Sequence, residues 1–288
     1  MKHVLTTLLM TFLCLHLQAQ ELSSTAADKT ALLMVHYGTA YDETRAKTID
    51  AVNLKARQTF PQLEVREAYL SPVVIRRLKG RGISKETPYE AMLRLRDDGY
   101  TRLMVQPTCL LDGEEMDVLR RDVARVDSLF ESVSIGRPLF YSIANCLRVV
   151  DVMTKRHPAD SLQREHVVFV GHGSSTPATA LYAQLDYMLR ATGHPCHHVT
   201  TIEGYPTFDT CLAQLRSAAV RRVKLVPLLF VAGNHAMKDI GGSWRQRLKQ
   251  EGFSVEVVLE GLGEVSEIQE MYIQSARMLE KTEENLVF

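Results

Sequence analysis

Two pairs of segments in this chain repeat one another, and that repetition restricts the fold more than any other feature. The run "LLMVHYGTA" (32–40) matches "VFVGHGSST" (168–176), and "QPTCLLDGEEM" (106–116) matches "VPLLFVAGNHA" (226–236). Superposing them sets His36 against His172, Gly113 against Gly233 and Glu115 against His235. Each run is short and apolar and leads through a turn into a helical pattern, as a βα unit does. One such unit cannot bury its apolar faces alone, so recurrence of the plan points to tandem duplication of an open α/β half-domain.

The remaining segments fit that plan. Residues 31–35 read as a first strand, 42–60 as a helix, 63–70 as a second strand and 102–111 as a third. Between the second and third strands, Pro88 opens a helix that Gly99 can stop. A fourth strand is expected at 134–142. The second half gives strands at 166–170, 197–203, 223–231 and 254–261, with helices over 177–191, 207–219, 235–250 and 264–281. The expected architecture is α/β: two Rossmann-like half-domains, each a parallel sheet flanked by helices, spanning 20–138 and 139–288.

Residues 1–19 combine Lys2, an apolar stretch from Val4 to Leu17 and a small residue, Ala19, at the end. That is the pattern of a cleaved secretory signal, so the mature chain is expected to be periplasmic or otherwise exported, with no membrane span after cleavage. Lys plus Arg and Asp plus Glu both total 34, which gives no pull toward nucleic acid or an anionic membrane. Cys109, Cys146, Cys196 and Cys211 show no CxxC spacing, so no zinc ribbon or thioredoxin motif is present and free or buried thiols are expected. A homo-oligomer is compatible with these features, which do not require one.

In an open parallel sheet, functional groups gather at the carboxyl edge of the strands. His172 ends the first strand of the second half, Glu203 the second in "TTIEGYP", and His235 follows the third in "VAGNHAM". Two imidazoles and a carboxylate suit Zn²⁺, Fe²⁺, Co²⁺ or Ni²⁺. Glycines beside His172 and at Gly204 and Gly233 would permit tight turns and the close approach of a large flat ligand. Taken singly, each of the three residues is more often structural than ligating. On spacing alone the two readings are evenly matched.

The motifs "VVFVGHGSS", "IEGYP", "PLLFVAGNHAMKDI" followed by "GGSW", "GLGE", "YGTAYDETR" and "TPYEAMLRLRDDGY" resemble the anaerobic type of sirohydrochlorin cobaltochelatase over roughly residues 30–280. That resemblance implies a class II chelatase, inserting a divalent metal into a tetrapyrrole in a cleft between two halves and using no nucleotide cofactor. The metal is then a substrate, Co²⁺ first, with Fe²⁺ or Ni²⁺ as alternatives. It also implies metal-handling and catalytic roles for His172, Glu203 and His235. The chain departs from the pattern at His36, a fourth ligand or else a satisfied strand-end histidine, the latter preferred. It departs again at Cys109, where some relatives carry a histidine.

Other features carry less. His194 and "CHH" at 196–198 read as a surface cluster on the wrong edge of the sheet, and Arg76, Arg77, Lys79 and Arg81 as a solvated basic face that might otherwise meet substrate carboxylates. Trp244 and Tyr205 read as packing residues near the cleft. "GLGE" is too short for a phosphate loop. Since tetrapyrrole synthesis is normally cytoplasmic, the leader also raises a second function: an exported metal- or tetrapyrrole-binding protein for uptake, storage or delivery.

Overall fold

The fold is described from a computed structural model covering residues 29–233 and 236–284, so the expected signal segment lies outside the described residues. In the first half the elements are β1 (Thr30–His36), a helical run α1 (Asp42–Arg45, a π turn at Ala46–Asp50, then Ala51–Thr59), β2 (Glu64–Tyr69), α2 (Pro72–Lys79), α3 (Pro88–Asp97), β3 (Arg102–Pro107), α4 (Glu114–Ala124) and β4 (Ser132–Ile135). The second half has α5 (Ile143–Arg156), β5 (Glu165–Gly171), α6 (Ala180–Ala191), β6 (His197–Thr201), α7 (Phe208–Ser217) and β7 (Arg222–Leu228). A π-type turn (Ala236–Trp244) leads into α8 (Arg245–Gln250), then β8 (Ser254–Val257) and α9 (Ser266–Glu284).

The strands form two four-stranded sheets in the orders β2-β1-β3-β4 and β6-β5-β7-β8, and every neighbouring pair is parallel. The two orders are the same once the halves are superposed, which is the duplication expected from the sequence. β1 and β5 are the inner strands at the point where the winding reverses, and both are buried along their length because helices cover both faces. That burial is why their sequences are unbroken apolar runs rather than alternating ones.

Several boundaries differ from the sequence reading. β4 ends at Ile135 instead of spanning 134–142, because Pro138 lacks the N–H that would continue the ladder. The helix α5 then begins at the Ser142 N-cap, whose hydroxyl accepts from Asn145 N–H at 3.2 Å. Its buried residues Cys146, Val149, Val150 and Met153 follow helical spacing, a signal masked by the strand assigned just before it. α2 is likewise additional; Ser71 caps it and Pro72 occupies its first turn.

The last helix does not stay with the second half. Its Ile273 and Ala276 pack with Leu32, Met34 and Val52 of the first half, while Ile268, Met271 and Tyr272 join the core that contains Phe169 and Leu185. The Tyr272 hydroxyl donates toward the carbonyls of Thr108 (3.1 Å) and Cys109 (3.3 Å), just beyond β3. α9 is therefore shared by both cores. Trp244 is buried against Phe208, ring centroids 4.9 Å apart, whereas Tyr205 is 54% exposed and packs little. Cys109, Cys146, Cys196 and Cys211 are free, and burial raises the thiol pKa values of Cys146 and Cys211, the latter to about 12. Among the described residues no helix is long and apolar enough to cross a membrane.

The histidines at the amino edge of the second sheet are not a surface cluster. His157, His166, His197 and His198 are all buried. Gln214 Oε1 can only accept, so His198 Nδ1 donates to it at 3.0 Å, and His198 Nε2 then accepts from His166 Nδ1 at 2.8 Å. Both rings are thereby fixed as neutral tautomers. Burial is the main cause lowering the pKa of all four, with His166 reaching about 4. In the unfolded chain these groups titrate near the ordinary imidazole value of 6.5. Stability is therefore full above that pH and falls as the pH drops from 6.5 toward 4, where the unfolded chain binds protons the native one refuses, by on the order of 2–3 kcal/mol for His166 alone. Urea unfolding midpoints should be lower at about pH 5 than at about pH 7.5, and equal midpoints would contradict this account.

Candidate metal centre

The site is built where β5 and β6 end. His172 follows β5 directly and is half-buried; its Nδ1 lies 3.4 Å from the Gly173 carbonyl oxygen. In the tautomer that donates this bond, the ring lone pair lies on Nε2. Glu203 lies beyond β6, its N–H donating to the His172 carbonyl at 2.8 Å, and its exposed carboxylate is free of hydrogen bonds and ion pairs among the described residues. His172 and Glu203 thus meet at one strand edge. The third expected member, His235, lies outside the described residues, between Gly233 and Ala236 at the carboxyl end of β7. β7 neighbours β5 on the side opposite β6, so its loop rises from the same edge. Among the described residues alone, no three His, Cys, Asp or Glu side chains form a metal-holding group.

The glycines act differently from the sequence expectation. Gly173 has φ +93°, and a Cβ there would fall 1.2 Å from the Glu203 carbonyl oxygen. At Gly171 a Cβ would fall 2.1 Å from the Tyr182 ring, and at Gly204 it would fall 2.7 Å from Thr179 Oγ1. The protein itself fills the space that those three glycines leave. Only at Gly233 is the nearest neighbour at ordinary contact distance, Thr39 Oγ1 at 3.6 Å.

The first half closes over this edge. A Cβ on Gly113 would lie 3.6 Å from Ala178 and 3.9 Å from Ser174 and Thr176, and Ser175 hydrogen-bonds Glu114. The loop after β3 therefore faces the loop after β5, and the loop after β7 faces the loop after β1. Such reciprocal pairing follows from facing two copies of one scaffold. Glu115, exposed in the first turn of α4, raises the Tyr182 hydroxyl after burial has done most of the shift, to about 12. Tyr182 is buried, and its oxygen is held by the backbone N–H groups of Gly173 and His172. Sequence reasoning passed over Tyr182, because in "TALYAQLDYMLR" it looks like any core aromatic of an amphipathic helix. Glu115 was marked only by its register with His235.

His36 occupies the duplicate position with a different environment. It is fully buried between Phe230 and Tyr69, both ring centroids 6.2 Å away. Asn53 donates through Nδ2 to Glu67 at 2.8 Å, so its Oδ1 is left to accept from His36 Nε2 at 3.0 Å. His36 Nδ1 then accepts from the Thr108 hydroxyl at 3.0 Å. With both nitrogens engaged and burial lowering its pKa to about 4, the ring is a neutral structural group facing the first-half core. Cys109 is mostly buried as well; burial first, then Glu115 and Asp112, raise its thiol pKa.

Residues 30–281 match the cobalt chelatase (CbiK) family. The chain belongs to that family. It is 35% identical over 250 residues to the sirohydrochlorin cobaltochelatase of Salmonella typhimurium, covering 85% of this chain and 94% of the relative. It is 31% identical over 242 residues to the sirohydrochlorin cobaltochelatase CbiKC of Nitratidesulfovibrio vulgaris, covering 82% and 85%. Among solved structures, SirB from Bacillus subtilis with Fe³⁺ superposes with a TM-score of 0.63 at 17% identity, covering 86% of this chain and 94% of SirB. A cobalt complex of the sirohydrochlorin chelatase SirB from Bacillus subtilis subspecies spizizenii superposes at 0.60 and 18% identity, covering 86% and 94%. The chain shares the overall fold of those two solved structures.

The backbone contact at Gly173 yields a sharp expectation. Gly173→Ala forces the β6 loop away from His172 and should cost about 3 kcal/mol or more, against about 1–2 kcal/mol for Gly193→Ala, where φ is also positive but nothing lies within 4 Å. Urea unfolding with Co²⁺ titration of both variants checks this, and equal losses would contradict it.

Proposed function

We propose that this protein is an exported chelatase that inserts Co²⁺ into sirohydrochlorin or a closely similar polycarboxylated tetrapyrrole. The observation that carries the reading is the half-buried His172 joined through its carbonyl to the backbone of Glu203, whose exposed carboxylate has no partner among the described residues, at the cleft edge of a cobalt chelatase family member. In the reaction the divalent metal sheds water, the macrocycle releases two pyrrole protons, and the metallated ring leaves with its four nitrogens bound to the metal. His172 and His235 are assigned the metal-holding and proton-accepting roles, since an unprotonated imidazole can ligate a metal or accept a proton. Glu203 is assigned the anionic ligand that offsets the ion's charge. The charge of Glu115 at the start of α4 adds to the attraction of a cation into the cleft.

Cobalt and iron prefer overlapping ligands, so the metal is assigned by the family and tested directly. Purified protein is mixed with sirohydrochlorin and Co²⁺, Fe²⁺ or Ni²⁺, and the loss of the metal-free absorption spectrum is followed. The wild type should accelerate insertion over the free reaction, most with Co²⁺. His172→Ala and His235→Ala should each lower kcat by roughly 10²-fold or more, and Glu203→Gln by about tenfold or more. No acceleration by the wild type overturns the enzymatic reading. Stoichiometric retention of the tetrapyrrole without turnover would support instead a binding protein for uptake or delivery, which the apolar leader also favours.

Export is read from the leader pattern of residues 1–19. The intact mass of protein from the periplasmic fraction should correspond to a chain beginning at Gln20. Recovery only from the cytoplasm with Met1 or Lys2 at the amino terminus would overturn export and leave the chelatase assignment standing.

A further inference from the structure

The two peptide groups that flank His172 are each held at both ends. The Gly171 carbonyl accepts from Ile202 N–H at 2.9 Å, and the His172 carbonyl accepts from Glu203 N–H at 2.8 Å. At the other end of the same two planes, the N–H groups of His172 and Gly173 both donate to the hydroxyl oxygen of Tyr182. Because each peptide group is planar, holding the two planes on either side of a residue fixes both of its backbone dihedrals. Two of the four bonds come from backbone beyond β6. The other two meet on one side-chain atom.

Tyr182 reaches that place from the first turn of α6, where it is 2% exposed and packs in the core with Phe169 and Leu185. Its ring lies so close to Gly171 that a Cβ there would fall 2.1 Å from the ring. Gly171 and Tyr182 are thus a matched pair: the glycine leaves the space, and the ring that fills it delivers the hydroxyl to the strand end. Packing alone requires only the ring. The first half has no such pair, since Val35 stands at the place of Gly171 and Tyr37 at that of Gly173. Any residue with a Cβ at the first place excludes a ring set like that of Tyr182. His36 is held instead by its ring nitrogens, which bond Asn53 and Thr108, and it lies in the core. The half that grips its histidine by the backbone leaves the imidazole at the cleft edge.

Resting on the chelatase reading above, we propose that Tyr182 is a positioning residue for His172: its hydroxyl oxygen, by accepting from the amides of His172 and Gly173, holds the imidazole in the pose in which it handles the metal. The hydroxyl touches neither substrate in this role and acts only through the backbone of His172. A metal ligand loses affinity when the groups that orient it are removed, and a displacement of about 1 Å at a reacting group is enough to slow chemistry strongly. The loss of the oxygen therefore acts on metal binding and on kcat, and leaves the rest of the tetrapyrrole contact surface as it is.

The test uses the full chain. Tyr182→Phe removes the oxygen and keeps the ring, and Leu185→Ala weakens the same helix and core without touching the strand end. Co²⁺ Kd without tetrapyrrole, kcat, KM for Co²⁺ and for sirohydrochlorin, and thermal stability are measured for both. In Tyr182→Phe, Co²⁺ Kd should rise and kcat fall by about 10–100-fold, with sirohydrochlorin KM little changed. Leu185→Ala should lose thermal stability but keep Co²⁺ Kd and kcat close to wild type well below its unfolding temperature. Amide hydrogen exchange at residues 172 and 173 should quicken by about tenfold in Tyr182→Phe only. If Tyr182→Phe does not fold, Tyr182→para-aminophenylalanine keeps the shape, replaces the oxygen by a poor acceptor and is read in the same way. Unchanged Co²⁺ Kd and kcat beside an active wild type, or losses that Leu185→Ala reproduces, would overturn this inference and leave the function intact. A wild type that binds Co²⁺ in a Tyr182-dependent way but metallates nothing would overturn the function and leave the role of Tyr182 standing. A wild type that neither binds Co²⁺ nor metallates sirohydrochlorin overturns both.

Discussion

The cleft exists because α9 belongs to two cores at once. Two parallel sheets with separate apolar centres have no intrinsic reason to hold a fixed relation, since a contact between half-domains is ordinarily small and mobile. Here Ile273 and Ala276 are buried in the first core while Ile268 and Tyr272 are buried in the second. The Tyr272 hydroxyl reaches the Thr108 and Cys109 carbonyls, at the point where β3 gives way to the loop that leads to Glu115. A helix buried on both sides is costly to peel from either, so the edge carrying His172 and the edge carrying Glu115 stay in register. In the proposed reaction that register matters, because the candidate ligands on one edge and the charges on the other would act on the same ion.

Duplication also explains why the two halves share a scaffold and differ in chemistry. His36 and His172 end equivalent strands. At His36 the neighbouring residues supply partners for both ring nitrogens and burial excludes the charged form. At His172 a glycine on each side lets Tyr182 and the Glu203 backbone pack close, so the ring stays at the edge, half-buried. One copy of the strand-end histidine has been absorbed into the core and the other kept at the cleft. The difference lies in what surrounds each imidazole.

Much of this was legible from residue order. Periodicity gave both sheets, the duplication and the carboxyl-edge location of His172 and Glu203, because apolar runs of strand length and turn glycines are local signals. α5 was hidden because Ser142, its cap, looked like the end of a strand, and the short helix α2 was hidden inside what looked like a charged surface segment. The cluster at 196–198 misled for a physical reason. Histidine is counted as polar, yet two imidazoles that satisfy one another, with Gln214 closing the chain, can be buried at little cost.

The sequence by itself determined the class of fold and the repeat and offered His172, Glu203 and His235 as candidate ligands, because each of these depends on side-chain type and short-range spacing. Only the tertiary structure decided what those residues face. It set Glu203 beside His172 through a backbone bond that a Cβ at Gly173 would forbid, and buried His36 among hydrogen-bond partners drawn from residues 53 and 108. Burial, hydrogen-bond satisfaction and the juxtaposition of charges arise between residues far apart in the chain, and no local pattern encodes them.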